Sequence, residues 1–182
     1  MPKSTKYDDM LDAAEVIVHR DGSARLTLDA VAAEAGVSKG GLLYHFPGKE
    51  ALVSAMVERM LGSFDAAQAH VLAADPSPPG AWTRAYVRVT AGSGHPSDHD
   101  TTAAALLAAI AGNPSLVEPL RVRYTQWRKD AVHDGIEPEL ATIVSLAADG
   151  LWFADLLGLA PLKGAQRQRV VARLLEMAGG AS

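Results

Sequence analysis

Between Thr27 and Phe46 the chain reads Thr-Leu-Asp-Ala-Val-Ala-Ala-Glu-Ala-Gly-Val-Ser-Lys-Gly-Gly-Leu-Leu-Tyr-His-Phe, and these residues sort into two groups. Ala32, Ala35 and Gly36 are small enough for two helices to cross closely, and Val31, Val37, Leu42 and Phe46 supply an apolar core. Ser38, Lys39, Gly40, Gly41, Leu43, Tyr44 and His45 are left with no core to fill. Hydrogen-bonding, cationic or small groups at the front of a short helix suit a DNA duplex, because the major groove admits a helix whose first residues meet base edges. The plain alternative is a helix pair inside a bundle with its polar residues merely solvated, and the residue types alone leave both readings open.

The elements that must position these residues are helical throughout, since no stretch sustains an alternating strand pattern. Thr5 with Asp8 forms a capping-box pattern, and Tyr7, Leu11, Ala14 and Val18 then share a face up to Asp21-Gly22. Thr27 suits the N-cap of a helix over Leu28–Ala35, and Gly36 permits the positive φ of a tight turn. Ser38 caps a short helix over Lys39–His45, Pro47-Gly48 breaks it, and a long helix runs from about Lys49 to Ala73. The run Asp75-Pro-Ser-Pro-Pro-Gly80 interrupts the chain. Further helices are expected near 81–91 and 100–111. Another carries Leu116, Leu120, Tyr124, Trp127 and Ala131 at helical spacing, one begins at Pro138 and ends near Leu157, and a last one reaches Met177. The expectation is an all-α chain of about nine helices without internal repeats, divided into residues 1–47 and 48–182.

Composition narrows the function. With 182 residues, 48% of them hydrophobic and 21% charged, the chain can bury a core and stay soluble. It has no Cys, which excludes disulfides and thiolate zinc sites and agrees with a reducing cytoplasm. The N-terminus has no apolar segment of the signal-peptide kind, and no window approaches 18 continuous apolar residues, so no membrane span is expected. A Gly-rich phosphate loop and a nucleophilic Ser elbow are both missing, and His19, His70 and His133 read as surface residues, which argues against an enzyme. His95-Pro-Ser-Asp-His-Asp100 has metal-binding residue types, but its spacing matches no recognised site and Asp98 or Asp100 suits an N-cap; neither metal nor cofactor is expected. The net charge is −4, and residues 1–60 carry seven Lys/Arg against nine Asp/Glu. What matters for DNA is the charge on the contacting face: Lys3, Lys6, Arg25, Lys39 and Lys49 could share one face while Glu15, Glu50 and Glu58 point elsewhere.

The run Val-Ser-Lys-Gly-Gly-Leu-Leu-Tyr-His-Phe-Pro-Gly-Lys-Glu-Ala-Leu-Val resembles the recognition-helix signature of TetR-family regulators, with Thr27, Gly36, Val37, Ser38, Tyr44, His45, Phe46, Lys49 and Leu52 in register over about residues 7–56. The resemblance implies a three-helix, helix-turn-helix DNA-binding domain and a C-terminal helical bundle for ligand binding and dimerisation. It implies a ligand-responsive repressor that binds a pseudo-palindromic double-stranded operator as a cytoplasmic homodimer. Thr27 and Lys49 would hold phosphates, Lys39 and Gly40 would enter the groove, and Tyr44 and His45 would meet phosphates or bases, with Ser38 and Gly41 on the same front. Leu43 departs from the family pattern: it can touch a thymine methyl but donates no hydrogen bond. In the bundle, Trp82, Tyr86, Tyr124, Trp127 and Trp152 would line the pocket of an unidentified small molecule, although aromatics at helical spacing also make ordinary core. Arg88, Arg123 and Asp149 could orient a polar ligand or simply form ion pairs. The last two helices would pair with their symmetry mates through Val144, Ala147, Leu151, Ala154, Val170 and Leu174. A second stripe of Ile143, Leu146, Phe153 and Leu157 also favours a dimer.

Overall fold

The computed structural model describes residues 5–92, 103, 106 and 113–179. Among these, every regular element is helical. The α-helices are α1 Lys6–Asp21, α2 Leu28–Glu34, α3 Lys39–His45, α4 Lys49–Ala74, α5 Ala81–Ala91, α6 Glu118–Val132, α7 Pro138–Leu157 and α8 Gly164–Met177, with short 3-10 turns at Ser23–Arg25 and Pro114–Val117. Of the helix expected near 100–111, Ala103 and Leu106 are helical and buried; its other residues and the His95–Asp100 run lie outside the described residues. The chain forms two compact units, Met1–Met60 with Ser97–Leu120, and Leu61–Pro96 with Arg121–Ser182.

In the first unit, the Thr5 hydroxyl accepts the Asp8 N–H while the Asp8 carboxylate accepts the Thr5 N–H, each at 3.2 Å, so both ends of the capping box are closed. α1 buries Met10, Leu11, Ala14, Ile17 and Val18, and it packs on α2. Gly36 takes φ +65°, and Val37 N–H reaches back 2.9 Å to the Ala32 carbonyl, which closes the turn between α2 and α3. Val31, Leu42 and Phe46 are buried with Leu26, Leu52 and Met56. Val37 departs from expectation and stays half-buried, because it stands in the turn between the helices rather than on either packed face. From α4, the Arg59 guanidinium bonds Glu15 at 3.0 Å and Asp12 at 2.6 Å, which ties that helix to α1.

In the second unit, α5 packs against α7 and α8. Its N-terminus is capped from a distance: the Asp134 carboxylate accepts the N–H groups of Trp82 at 3.0 Å and Thr83 at 2.7 Å. Gly80 precedes it with φ +82°, and a Cβ there would stand 1.8 Å from the Ala178 carbonyl oxygen, so only glycine fits this crossing. Arg84 is the polar centre of the crossing. It donates to the carbonyls of Ser77 at 2.5 Å, Pro79 at 2.7 Å and Ala178 at 3.2 Å, and it pairs with Asp75 at 3.3 Å. Arg167 of α8 does the same at the other end, donating to the Ala91 carbonyl at 2.9 Å and lying 2.7 Å from Asp155.

Arg84 and Arg88 both pair with Asp75 but differ in burial, the first being 4% exposed and the second 40%. Replacing Arg84 by Ala leaves the buried Ala178 carbonyl and the part-buried carbonyls of Ser77 and Pro79 without this donor and should cost about 3 kcal/mol. Arg88→Ala should cost less than about 1 kcal/mol. Equilibrium urea denaturation of the two variants measures the difference; equal costs would show that Arg84 is not the keystone of this crossing.

Candidate nucleic-acid interface and bundle cavity

The front of α3 is built by caps and left open by packing. The Ser38 hydroxyl accepts the Gly41 N–H at 3.0 Å, and the Thr27 hydroxyl likewise accepts the Ala30 N–H at 3.2 Å at the start of α2. Both hydroxyls remain on the surface at helix N-termini, where backbone N–H groups and the helix dipole favour an anion. Leu42 turns inward while Ser38, Lys39, Gly40, Leu43, Tyr44 and His45 face out, and Tyr44 is 85% exposed. A large aromatic this exposed has no packing role of its own. Its ring meets His45 edge-on at 5.1 Å, and His45 is flanked on the other side by Tyr7 of α1 at 6.0 Å. Tyr7 also lies 5.0 Å from Phe46, so α1 supports the exit of α3. Lys49 is exposed at the start of α4. A Cβ on Gly40 would meet no protein atom within 4 Å, so any size limit there comes from whatever α3 docks against, whereas on Gly41 it would press on the Ser38 hydroxyl at 3.3 Å. Sequence reading missed Asp29, which sits in the first turn of α2 and holds the Lys39 ammonium at 2.9 Å.

In the second unit, Trp82, Tyr86, Tyr124 and Trp127 converge. Together with Arg128, Ala131, Ser145 and Asp149 they line one partly open cavity, about 250 Å³ with the solvent at its mouth included. The rings fill most of the space between the helices. Trp82 stacks on Tyr86 at 5.2 Å, Tyr86 meets Trp127 edge-on at 5.9 Å, and Tyr124 lies 5.0 Å from Trp127. α4 completes the wall from behind. Phe64 packs 4.6 Å from Trp127, and Asp65 accepts the Trp127 indole N–H at 2.8 Å while pairing with Arg123 at 2.5 Å. The Tyr86 hydroxyl donates to Asp149 Oδ1 at 2.6 Å. Burial holds the Asp149 carboxyl above the ordinary carboxylate range, against the opposing pull of that hydrogen bond and of the Arg128 charge. Burial likewise pushes Tyr124 up to about 12, with the Asp149 charge adding to it, and raises Tyr86 further still.

The other expected residues divide. Trp152 does not line this cavity; its ring meets Phe153 edge-on at 5.9 Å, one helical turn beyond Asp149. Arg88 and Arg123 are ion-paired, whereas Asp149 is part of the cavity wall. Two of the residues expected at a symmetry-mate surface need correction. Val144 is wholly buried in its own chain and Leu174 nearly so, which leaves neither with surface to offer. Ala147, Leu151, Ala154 and Val170 are partly exposed. The apolar surface of α7 lies instead on Ile143, Leu146, Phe153 and Leu157, each between 43% and 56% exposed, with Gly150 between them.

Residues 10–56 match the family profile of bacterial regulatory proteins, tetR family, and residues 80–179 match that of the tetracyclin repressor-like C-terminal domain. Among solved structures, a protein of Streptomyces coelicolor A3(2) superposes with a TM-score of 0.77 at 19% identity, covering 96% of this chain and 99% of its own. The multidrug binding protein EbrR, solved with ethidium, gives 0.71 at 26% identity, over 93% of this chain and 98% of its own. A protein of Saccharomonospora viridis, solved with choline, gives 0.73 at 19% identity, over 93% and 95%. No curated protein sequence matches the chain.

Two variants test this geometry. Asp29→Asn frees Lys39 for a phosphate and should tighten binding to any duplex roughly two- to fivefold at low salt, the gain fading as salt rises. Lys39→Ala should weaken binding to all sequences and flatten log affinity against log salt by about one unit. Titration of labelled duplexes at several salt concentrations reads both, and an unchanged slope would remove Lys39 from the phosphate contacts. Asp149 acts on stability with the opposite sign to a surface carboxylate. Its folded-state pKa is raised, so its contribution is complete below the unfolded value of 3.8 and is lost as pH rises through the folded value. Asp149→Asn should therefore gain in melting temperature over the parent as pH goes from about 4 to 7. A constant difference across that range would mean that the carboxyl ionises as in water.

Proposed function

The chain belongs to the TetR family of bacterial regulatory proteins, DNA-binding transcriptional regulators without enzymatic activity, and on that premise we propose that it is a homodimeric repressor released from its operator by a small molecule. The observation that carries this reading is the pairing of an open, polar α3 front with a separate aromatic cavity in the second unit. Residues 1–47 read DNA in this scheme, and residues 48–182 sense the effector and dimerise. Thr27 and Lys49 hold phosphates, Lys39 and Gly40 enter the groove, and Tyr44 and His45 discriminate operator from random DNA. Ser38, Gly41 and Leu43 complete the contact surface. Operator binding places the protein in the cytoplasm, and no membrane takes part.

A single seven-residue recognition helix covers too little of a duplex to be specific, so two copies should read half-sites about 34–36 Å apart. The exposed stripe of α7 recurs at steps of three and four residues, which makes one apolar face beside Ala147, Leu151, Ala154 and Val170. Gly150 in the middle of the stripe allows two copies of α7 to approach closely. We assign this face to the homodimer. An effector in the cavity shifts the protein only as far as its affinity differs between the DNA-competent and DNA-incompetent states. Trp127 offers a route for that difference: it is bound to Asp65 and packed on Phe64 of α4, the unbroken helix that begins at Lys49. Ethidium on EbrR and choline on the Saccharomonospora viridis protein support the idea that such a bundle takes small organic molecules.

Two measurements decide. Selection from random duplexes should enrich a pseudo-palindromic sequence, which Tyr44→Ala and His45→Ala bind more weakly while their affinity for random DNA changes less. Enrichment of no sequence, or parental binding by both variants, contradicts DNA reading by α3. In sedimentation, the parent should be a dimer, and Leu146→Asp with Phe153→Asp should make it a folded monomer; a monomeric parent contradicts the dimer.

A further inference from the structure

We propose that the cavity of Trp82, Tyr86, Tyr124 and Trp127 takes an organic cation, with Asp149 as its counter-ion. This rests on the cavity being the effector site and adds the chemical class. Four electron-rich rings on α5 and α6 surround one space, and ring faces attract cations through their quadrupole, Trp most strongly. The carboxylate in the same wall is mostly buried, and the Tyr86 hydroxyl gives it one hydrogen bond, on Oδ1. Oδ2 accepts no hydrogen bond from the described residues. A buried carboxylate with a single donor is costly unless a positive charge or a proton joins it, since desolvation penalises the bare anion.

The groups facing Asp149 decide what joins it. Tyr86 of α5 and Tyr124 of α6 are both held in the neutral form by burial, so neither competes as an anion. Arg128 of α6 also lines the cavity, and its charge reaches Asp149 without an ion pair forming between them among the described residues. Arg123, the other cation of α6 near this wall, is engaged by Asp65. The built-in neutraliser thus stops short of an ion pair. A cation seated among the rings would satisfy Asp149 from the cavity side. A neutral ligand would leave the carboxylate unpaired, and an anion would be repelled by it.

The experiment compares three probes of similar size on the full-length protein: (3-hydroxyphenyl)trimethylammonium, its neutral isostere 3-tert-butylphenol, and 3-hydroxybenzoate. Tryptophan fluorescence is followed for Trp82 and Trp127. The cation should bind at least about tenfold more tightly than the isostere, and the benzoate should not bind. Asp149→Asn keeps an acceptor for Tyr86 and should erase the difference between cation and isostere. In the parent protein, cation affinity should fall as pH is lowered towards the ordinary carboxylate range, while isostere affinity stays level; this readout stands even if the variant folds poorly. Equal binding of cation and isostere, preference for the benzoate, or a cation preference that survives Asp149→Asn overturns the cationic class. Any of these leaves the cavity itself standing if Ala131→Trp, which fills it, abolishes the binding seen. Binding of no probe up to its solubility limit, or binding untouched by Ala131→Trp, overturns the cavity reading together with the proposal.

Discussion

A helix of seven residues does not hold itself together in water, because nucleation fixes several dihedral angles for each early hydrogen bond. α3 exists only because Leu42 and Phe46 are buried, α3 packing on α2 and Phe46 meeting Tyr7 of α1, and everything its surface does depends on that anchoring. The anchor leaves room for one inward residue per turn. Most other positions on the helix are released from packing, which leaves Lys39, Gly40, Leu43 and Tyr44 exposed. Gly36 is the geometric condition for this arrangement. Its left-handed backbone lets α3 leave α2 at a close crossing, where Ala32 fits against the neighbouring helix and a larger side chain would not. Arg59 then ties α4 to α1 through two carboxylates, so the scaffold behind α3 is held by charge as well as by apolar contact.

The acidic balance of the chain becomes intelligible at this level. Many of the acids of the first sixty residues are spent internally: Asp12 and Glu15 on Arg59, Asp8 on its own cap, Glu34 on Arg20 and Asp29 on Lys39. Of these, Asp29 acts directly on the front of α3 through Lys39. An exposed pair such as Asp29 with Lys39 is worth little in water, so a phosphate can compete for the ammonium at small cost. The net charge therefore says little about the contact surface, and the distribution of pairs says more.

How much was readable follows from which forces act locally. Caps, breaks and helix periodicity are local, so the boundaries of α1, α2, α3 and α7 lay close to where Thr5, Thr27, Ser38 and Pro138 put them. The clustering of Trp82, Tyr86, Tyr124 and Trp127 was legible as a set of aromatics on helices of one bundle, but their partners were not. Asp65, Phe64 and Ser145 reach the cavity or its wall through packing between helices distant in sequence, and nothing near them in the chain distinguishes them from other helical residues. Asp149 was visible as a polar residue in an apolar helix, yet its burial was not. The choice between the two apolar stripes of α7 was likewise beyond sequence: both have helical spacing, and only packing against α5 and α8 decides that Val144 goes inside.

α7 shows why a helix can look more apolar than its surroundings require. By length and mean hydropathy, 1.5 over its best window, it would suit a membrane, yet only 22% of that window is buried within the chain. A core helix needs one apolar face, and α7 has two. The inward face, Ala141, Val144 and Ala148, is spent on α5 and α8. Asp149 and Asp155 are both engaged by partners within the bundle, Tyr86 and Arg167, which a helix surrounded by lipid would not offer. What remains is a second face, interrupted at its centre by Gly150, where a missing side chain weakens the helix by roughly 0.5–1 kcal/mol unless close approach compensates for it. In the proposed homodimer, a second copy of the same helix crossing at that glycine would cover the exposed apolar side chains and offset the cost in one step.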